Sequence, residues 1–432
     1  MREMKDSGYD WLGMVPKNWS LKRGRFLFSQ RNEKGNSVNL ELLSPSQKFG
    51  VIPQRLLEEW TTHKAVKLKE NTDLSELKTV HKGDFCISLR SFQGGFEYSE
   101  YEGVVSPAYQ IFHKNIDLAE GYYRYLFKDS SFIDKMNSYT MSLRDGKNIS
   151  FFDFGNTYLP VPPISEQQCI ASYLDSKCSK IDDIIEKQQS VIEKLKAYKQ
   201  SIITEAVTKG LNPDVPMKDS GVEWIGEVPR EWKVCKVGYF TKKIGSGKTP
   251  KGGAEIYSKK GILFLRSQNI YDTGLKLDDA TYISEAIDLE MSATRVLKDD
   301  ILLNITGGSI GRCCIYPFEE TANVNQHVCI IRVNQNIISP QFMHYLWVSN
   351  IGKISIDICQ TGSNREGMNF NQISKTFFPL PFVDEQKEIC DYLDQKCSAI
   401  DSTIANKQAL IEKLTAYKKS LIYEVVTGKK EV

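Results

Sequence analysis

The chain contains its own anchors twice. The segment MKDSGYDWLGMVPKNW at residues 4–19 returns as MKDSGVEWIGEVPREW at residues 217–232, with ten of sixteen positions identical. A second stretch, TYLPVPPISEQQCIASYLDSKCSKID from Thr157, returns as TFFPLPFVDEQKEICDYLDQKCSAID from Thr376 and runs on into VIEKLKAYKQSIITEAVT and LIEKLTAYKKSLIYEVVT. Two copies of one frame predict two similarly folded units, because the same anchoring residues make the same packing demands in each. The order is motif, variable block and helix, twice over. The offsets of 213 and 219 residues differ by six, so the second block carries six more residues net.

Helix signals bracket the second repeat. Ser165 and Gln168 have the spacing of a capping box after Pro162 and Pro163, and Asp384 offers a cap in the later copy. Gly210, with Pro213 behind it, and Gly428 mark the stops. Between them Leu174, Cys178, Ile181, Ile185, Ile192, Leu195, Ile202 and Ala206 alternate spacings of three and four. The copy keeps Leu393, Cys397, Ile400, Ile404, Ile411, Leu414, Leu421 and Val425. Seams this narrow and about six turns long predict helices that bury each other as a coiled coil.

The variable blocks read as mixed α/β domains. Short β-rich runs, DFCISL from Asp84 and DILLNI from Asp300, are punctuated by Gly, Ser and Asn, and helices are predicted near GYYRYLF at Gly121 and QFMHYLW at Gln341. The blocks align only through these elements and through AYQIFH at Ala108 against HVCIIRV at His327. Near-identical anchors around diverged inserts predict two readers on a symmetric frame, tuned to different targets. The expected division is 1–156, first motif and variable domain; 157–212, first long helix; 213–375, second motif and variable domain; 376–432, second long helix.

Composition sets limits. A chain of 432 residues, 41% hydrophobic and 25% charged, excludes a disordered or collagen-like polymer. No run approaches 18 consecutive apolar residues, so no membrane association is expected and a cytoplasmic location is. Ten cysteines without CxxC pairs predict buried thiols rather than a disulfide or zinc framework, and no metal site is expected. The net charge of +2 is uninformative for the whole chain, but the second block holds 17 Lys and Arg against 13 Asp and Glu, an excess compatible with phosphate contacts.

Catalytic motifs are missing. GSGKT at residues 245–249 lacks the first glycine of a phosphate-binding loop, and Pro250 follows where its helix should run on; a glycine-rich turn is expected instead. No Asn/Asp-Pro-Pro-aromatic tetrad and no GxGxxG after a strand supports methyl transfer, so no catalytic residue is expected. Cys313 and Cys314 should point to opposite faces of a strand, and Trp11, Trp19, Trp224 and Trp232 should anchor the two motifs.

Polar loops are the candidates for contact with DNA. SLRSFQGG supplies Arg90, Ser91 and Gln93, and its counterpart NITGGSIGR supplies Asn304, Thr306, Ser309 and Arg312. LRSQN adds Arg266, Gln268 and Asn269, TGSNREG adds Asn364 and Arg365, and Lys243 and Lys248 belong to a basic run with Lys242 and Lys251. Arg forks onto guanine and Asn or Gln onto adenine in the major groove, while Lys and small residues suit phosphates.

With its doubled KDSGxxWxGxVPxxW, doubled PxP leading into EQ, YLDxK and IEKLxAYK, Thr249–Pro250 after the glycine turn and GSIGR at residues 308–312, the whole chain resembles the specificity subunits of type I restriction-modification systems, the HsdS family. The resemblance implies two α/β target recognition domains separated by two long antiparallel helices under pseudo-twofold symmetry. It implies a non-catalytic subunit that reads a bipartite, asymmetric site in double-stranded DNA. Two methyltransferase (modification) subunits and restriction subunits that translocate and cleave would dock on it, and S-adenosylmethionine, ATP and magnesium would belong to those partners. A specificity subunit of a type IIB-like system and a coiled-coil scaffold without DNA reading are the alternatives.

Overall fold

The computed structural model describes residues 2–34, 40–61, 76–87, 95–139, 149–250, 252–360 and 367–432. The chain forms two compact units, one from residues 1–188 and 409–432 and the other from residues 189–408. Each unit takes a variable block and a part of each long helix, an arrangement that no linear division of the chain expresses.

In the first unit, strands β1 (Phe28–Arg31), β2 (Phe85–Ile87), β3 (Phe96–Tyr98) and β4 (Gln110–Lys114) form an antiparallel sheet in the order β1-β4-β2-β3. Helix α1 (Glu120–Leu126) follows, and α2 (Ile164–Lys209) is the first long helix. In the second unit, β5 (Thr241–Ser246), β6 (Ile301–Asn304), β7 (Cys313–Ile315) and β8 (Val328–Val333) repeat that plan as β5-β8-β6-β7. Helix α3 (Pro340–Val348) and the second long helix α4 (Val383–Val426) complete it. The strand and helix runs expected in the two blocks therefore occupy matching places.

The cores show why the blocks align so faintly. Phe85 and Phe112 face each other across β2 and β4 with ring centroids 5.3 Å apart, inside a cluster with Phe28, Phe96, Phe127 and Phe154. Their counterparts across β6 and β8 are Ile301 and Ile331. Two fillings of different shape hold one sheet plan, because apolar volume and alternation are required while residue identity is not. The surroundings diverge further. A second four-stranded sheet, containing Ile262–Leu265 beside Ala322–Val324 in parallel, belongs to the second unit, whereas the first carries the hairpin Leu43–Ser46 with Gly50–Pro53.

Each sheet is pinned at one end by a buried carboxylate. Asp84, just before β2, takes two bonds from Arg31 at 2.8 and 3.2 Å; Asp300, just before β6, takes two from Arg332, both at 2.7 Å. Each also accepts a turn N–H, from His81 or Leu297. The acid holds the same place while the arginine comes from β1 in one unit and β8 in the other.

The repeated motifs are hooks between block and helix. Trp19 donates its indole N–H to Glu166 Oε2 at 3.0 Å, and Trp232 donates to Glu385 Oε2 at 2.9 Å. The next residue, a buried glutamine, clamps a loop: Gln167 accepts from the Ala119 N–H and donates to Pro162 O, while Gln386 accepts from the Ser339 N–H and donates to Ile337 and Pro381 carbonyls. The helices begin at Ile164 and Val383, so Ser165 and Asp384 lie inside the first turn rather than in the expected cap positions. Tertiary bonds to Glu166 and Glu385 hold the first turn, a role that local spacing cannot reveal. At the other end Gly428 adopts φ +73°, and a Cβ there would lie 2.4 Å from Pro16 Cγ, so only glycine lets α4 end against the first motif.

The two long helices pack antiparallel in each unit. Leu174, Ile181 and Ile185 share the first core with Leu414 and Leu421; Leu195 and Ile202 share the second with Leu393, Ile400 and Ile404. Ile192 is buried and Ile411 half-buried. Lys418 binds Asp182 at 2.6 and 2.7 Å in the first unit, and Lys199 binds Asp401 at 2.6 and 2.8 Å in the second. These pairs are images of one another under the 219-residue repeat. The seam also serves each domain core, because α1 and α3 cover its ends.

Candidate nucleic-acid interface

Antiparallel pairing brings four chain segments to one end of the β5-β8-β6-β7 sheet. Ser246 at the end of β5 pairs with Cys329, Asn304 at the end of β6 pairs with Val328, and Leu303 pairs with Cys313 at the start of β7. The loops that leave these ends contain Lys248 and Thr249, Gln326 and His327, and Thr306, Ser309 and Arg312. Thr306 also bridges to Gly367, beside the TGSNREG segment. Asn364 and Arg365 of that segment lie outside the described residues, as does Lys251.

Inside this edge the polar residues divide into holders and presenters. Asn304 is fully buried, and its Nδ2 donates to Ser267 O at 2.8 Å and Ser309 Oγ at 3.1 Å, tying the LRSQN loop to the glycine loop. Asn269 is also buried: its Oδ1 accepts the Arg266 N–H and its Nδ2 donates to Lys276 O. Lys243 lies instead toward the Asp300 end of the sheet, paired with Arg332 on β8; it donates to Ala293 O at 2.8 Å, and burial, with Arg332 nearby, holds its pKa below the ordinary lysine value. Arg266 Nη2 donates to Asp279 O. Lys248 and Gln268 are exposed, and Arg312 and Ser309 are half-exposed.

His327, Gln326, Tyr271 and Asp272 join the edge without having been singled out in the sequence. Thr306 Oγ1 lies 2.6 Å from His327 Nδ1, Gln326 Nε2 lies 3.3 Å from His327 Nε2, and Thr249 Oγ1 donates to Gln326 Oε1. The available signal was position: Gln326 and His327 directly precede the strand that pairs with DILLNI.

The first unit offers the same end. Ile87 at the end of β2 pairs with Gln110 and Phe96, so the connection between β2 and β3 leaves the sheet where the 305–312 loop leaves its own. Arg90, Ser91 and Gln93 belong to that connection and lie outside the described residues. Gln110 Oε1 accepts the Phe151 N–H, and its Nε2 donates to Ile149 O at 3.0 Å.

The other motifs resolve into structure. After Ser246 no helix continues GSGKT; a Cβ at Gly247 would lie 1.6 Å from Val324 O, so this glycine serves a close backbone approach. Cys313 and Cys314 are buried in different clusters, on opposite strand faces. Burial pushes the thiols of Cys314 and Cys329 up to about 12, far from a thiolate at neutral pH. Trp19 and Trp232 are buried in their cores. Among the described residues no His, Cys, Asp or Glu cluster fits a metal ion, and no helix is long and apolar enough to cross a membrane.

A family profile described as the type I restriction modification DNA specificity domain matches residues 24–194 and again residues 229–416, once for each copy of the internal repeat. The chain belongs to this family. It is 27% identical over 295 residues to the EcoBI specificity subunit of Escherichia coli, covering 66% of this chain and 61% of that protein. It is 25% identical over 425 residues to the MjaVIII specificity subunit of Methanocaldococcus jannaschii, covering 96% and 93%. A chain solved in work on complex assembly and conformational transition of the type I R-M system superposes with a TM-score of 0.73 at 13% identity, over 95% of this chain and 98% of that one. The HsdS subunit from Thermoanaerobacter tengcongensis gives 0.53 at 14% identity, over 98% and 100%. At these identities the superpositions establish the shared fold of specificity subunits.

Proposed function

We propose that this chain is the non-catalytic DNA-reading subunit of a type I restriction-modification complex, each unit reading one half of a bipartite site. The observation that carries this reading is the matched sheet end: two sheets of one strand order each send a polar, glycine-rich connection from the same edge, inside a frame whose anchors are duplicated. Readers that must share one set of partners but see different bases need a common frame and divergent loops. Methylation and cleavage would come from methyltransferase and restriction subunits with their S-adenosylmethionine, ATP and magnesium.

The test is reconstitution with the methyltransferase subunits, followed by mapping of methylated positions. Replacing residues 20–156 with the block of another family member should alter one half-site and leave the other unchanged. Alteration of both or of neither, or robust methylation by the isolated chain, would overturn the assignment.

A further inference from the structure

Three arginines of the second unit are committed within the protein. Arg295 binds Asp288, Arg332 binds Asp300, and Arg266 donates to the Asp279 carbonyl. The guanidinium of Arg312 has no hydrogen-bond or ion-pair partner among the described residues; it lies 4.6 Å from the centroid of the Tyr271 ring. Its backbone is held on every side. The Arg312 N–H donates to Ser309 O at 3.2 Å, its carbonyl accepts the Asn304 N–H at 2.8 Å, and the next N–H, of Cys313, goes to Asp272 Oδ1 at 3.0 Å. Tyr271 and Asp272 belong to one hairpin, formed by Ile270–Tyr271 and Gly274–Leu275. That hairpin therefore fixes both the side chain and the strand of a single arginine whose donors remain free.

We propose that Arg312 reads a guanine in the half-site of the second unit and that Tyr271 is its positioning residue; the inference rests on the DNA-reading function proposed above. A guanidinium presents donors in a rigid fork that matches guanine O6 and N7 on the major-groove edge. Stacking on an aromatic ring removes rotamer freedom before DNA arrives, so less ordering remains for the binding step. Phosphate contacts demand charge more than orientation, and orientation is what the hairpin supplies. Buried Asn304 supports the same arginine from behind, by bonding both its carbonyl and Ser309.

The experiment is selection from a randomised duplex pool by the full chain assembled with its methyltransferase subunits. Wild type should return a bipartite motif, and Arg312→Ala should return it with one invariant guanine made degenerate, a loss of about 5- to 150-fold in discrimination there. Tyr271→Ala should relax the same position, whereas Tyr271→Phe, which keeps the ring, should restore it. A probe independent of variant folding is the wild-type complex on DNA carrying 7-deazaguanine at that position. Loss of the N7 acceptor should weaken binding, and the analogue should have no further effect on Arg312→Ala. Uniform weakening across all sequences with a shallower salt dependence would mark a phosphate contact and overturn the proposal. So would indifference of wild type to the analogue. A wild-type complex that selects no motif would instead sink the DNA-reading function itself.

Discussion

Removing the carboxylate of Asp300 should unlock the second sheet without changing what it reads. Asp300 is 1% exposed and accepts three bonds of 2.7 Å, two from Arg332 and one from the Leu297 N–H. Breaking one partner out of a buried ion pair costs about 3–5 kcal/mol, because the other charge is left desolvated. Arg332 keeps 29% of its side-chain surface, so water recovers part of that charge. Asp300→Ala should therefore cost about 3 kcal/mol, close to 150-fold in the opening equilibrium. Peptide-resolved hydrogen exchange is the assay: protection should fall in β6 and β8 and persist in β1, β2 and β4, whose own pin is Asp84. Asp300 lies at the far end of β6 from Asn304, so the motif methylated by the assembled complex should stay the same. Asp300→Leu combined with Arg332→Leu should cost less than Asp300→Ala alone, since no unpaired charge remains. A cost below about 1 kcal/mol would refute the reasoning, and so would equal loss of protection in both sheets.

Burial pushes the Glu97 carboxyl up to about 7 despite its contact with Lys128 at 2.6 Å. The folded first unit then holds a proton that the unfolded chain releases near 4.5, so its stability should decline as pH rises from about 4.5 to 7. Glu97→Gln should flatten this slope, worth at most about 3 kcal/mol, in denaturant unfolding measured across that range. Trp232→Phe should cost about 1–2 kcal/mol in thermal unfolding through loss of the bond to Glu385, whose carboxyl is already held above its ordinary value by burial. Trp19→Phe should cost less, because Arg2 still binds Glu166 at 2.9 Å. Lys418→Ala and Lys199→Ala should each change stability by less than about 1 kcal/mol, since Asp182 and Asp401 are half-exposed.

Much of the architecture was legible because it repeats. Duplicated anchors announced two units, the spacing of three and four placed both long helices, and DFCISL and DILLNI marked strands that occupy one position in two sheets. The hooks were half-visible: the tryptophans stood out, but their partners Glu166 and Glu385 sit 147 and 153 residues away, a distance no local spacing rule crosses. The polar edge was legible as a set of loops. Which residues are spent within it was not. Asn304 and Asn269 look identical in sequence to amides that face a ligand, and only their burial shows that they hold loops.

By itself the sequence determined the count of units, their order, the helical frame and the absence of recognisable catalytic motifs, because these depend on periodicity and on residues close together in the chain. Tertiary structure decided the rest. It gave each unit parts of both long helices, since matching seams predict that the helices bury each other but not which stretch of each joins which core. It brought Thr249, His327, Thr306 and Arg312 to one edge, since antiparallel pairing joins strand ends that lie far apart in sequence. It also distinguished a committed arginine from a free one, because that depends on whether a carboxylate or an aromatic ring stands opposite in space.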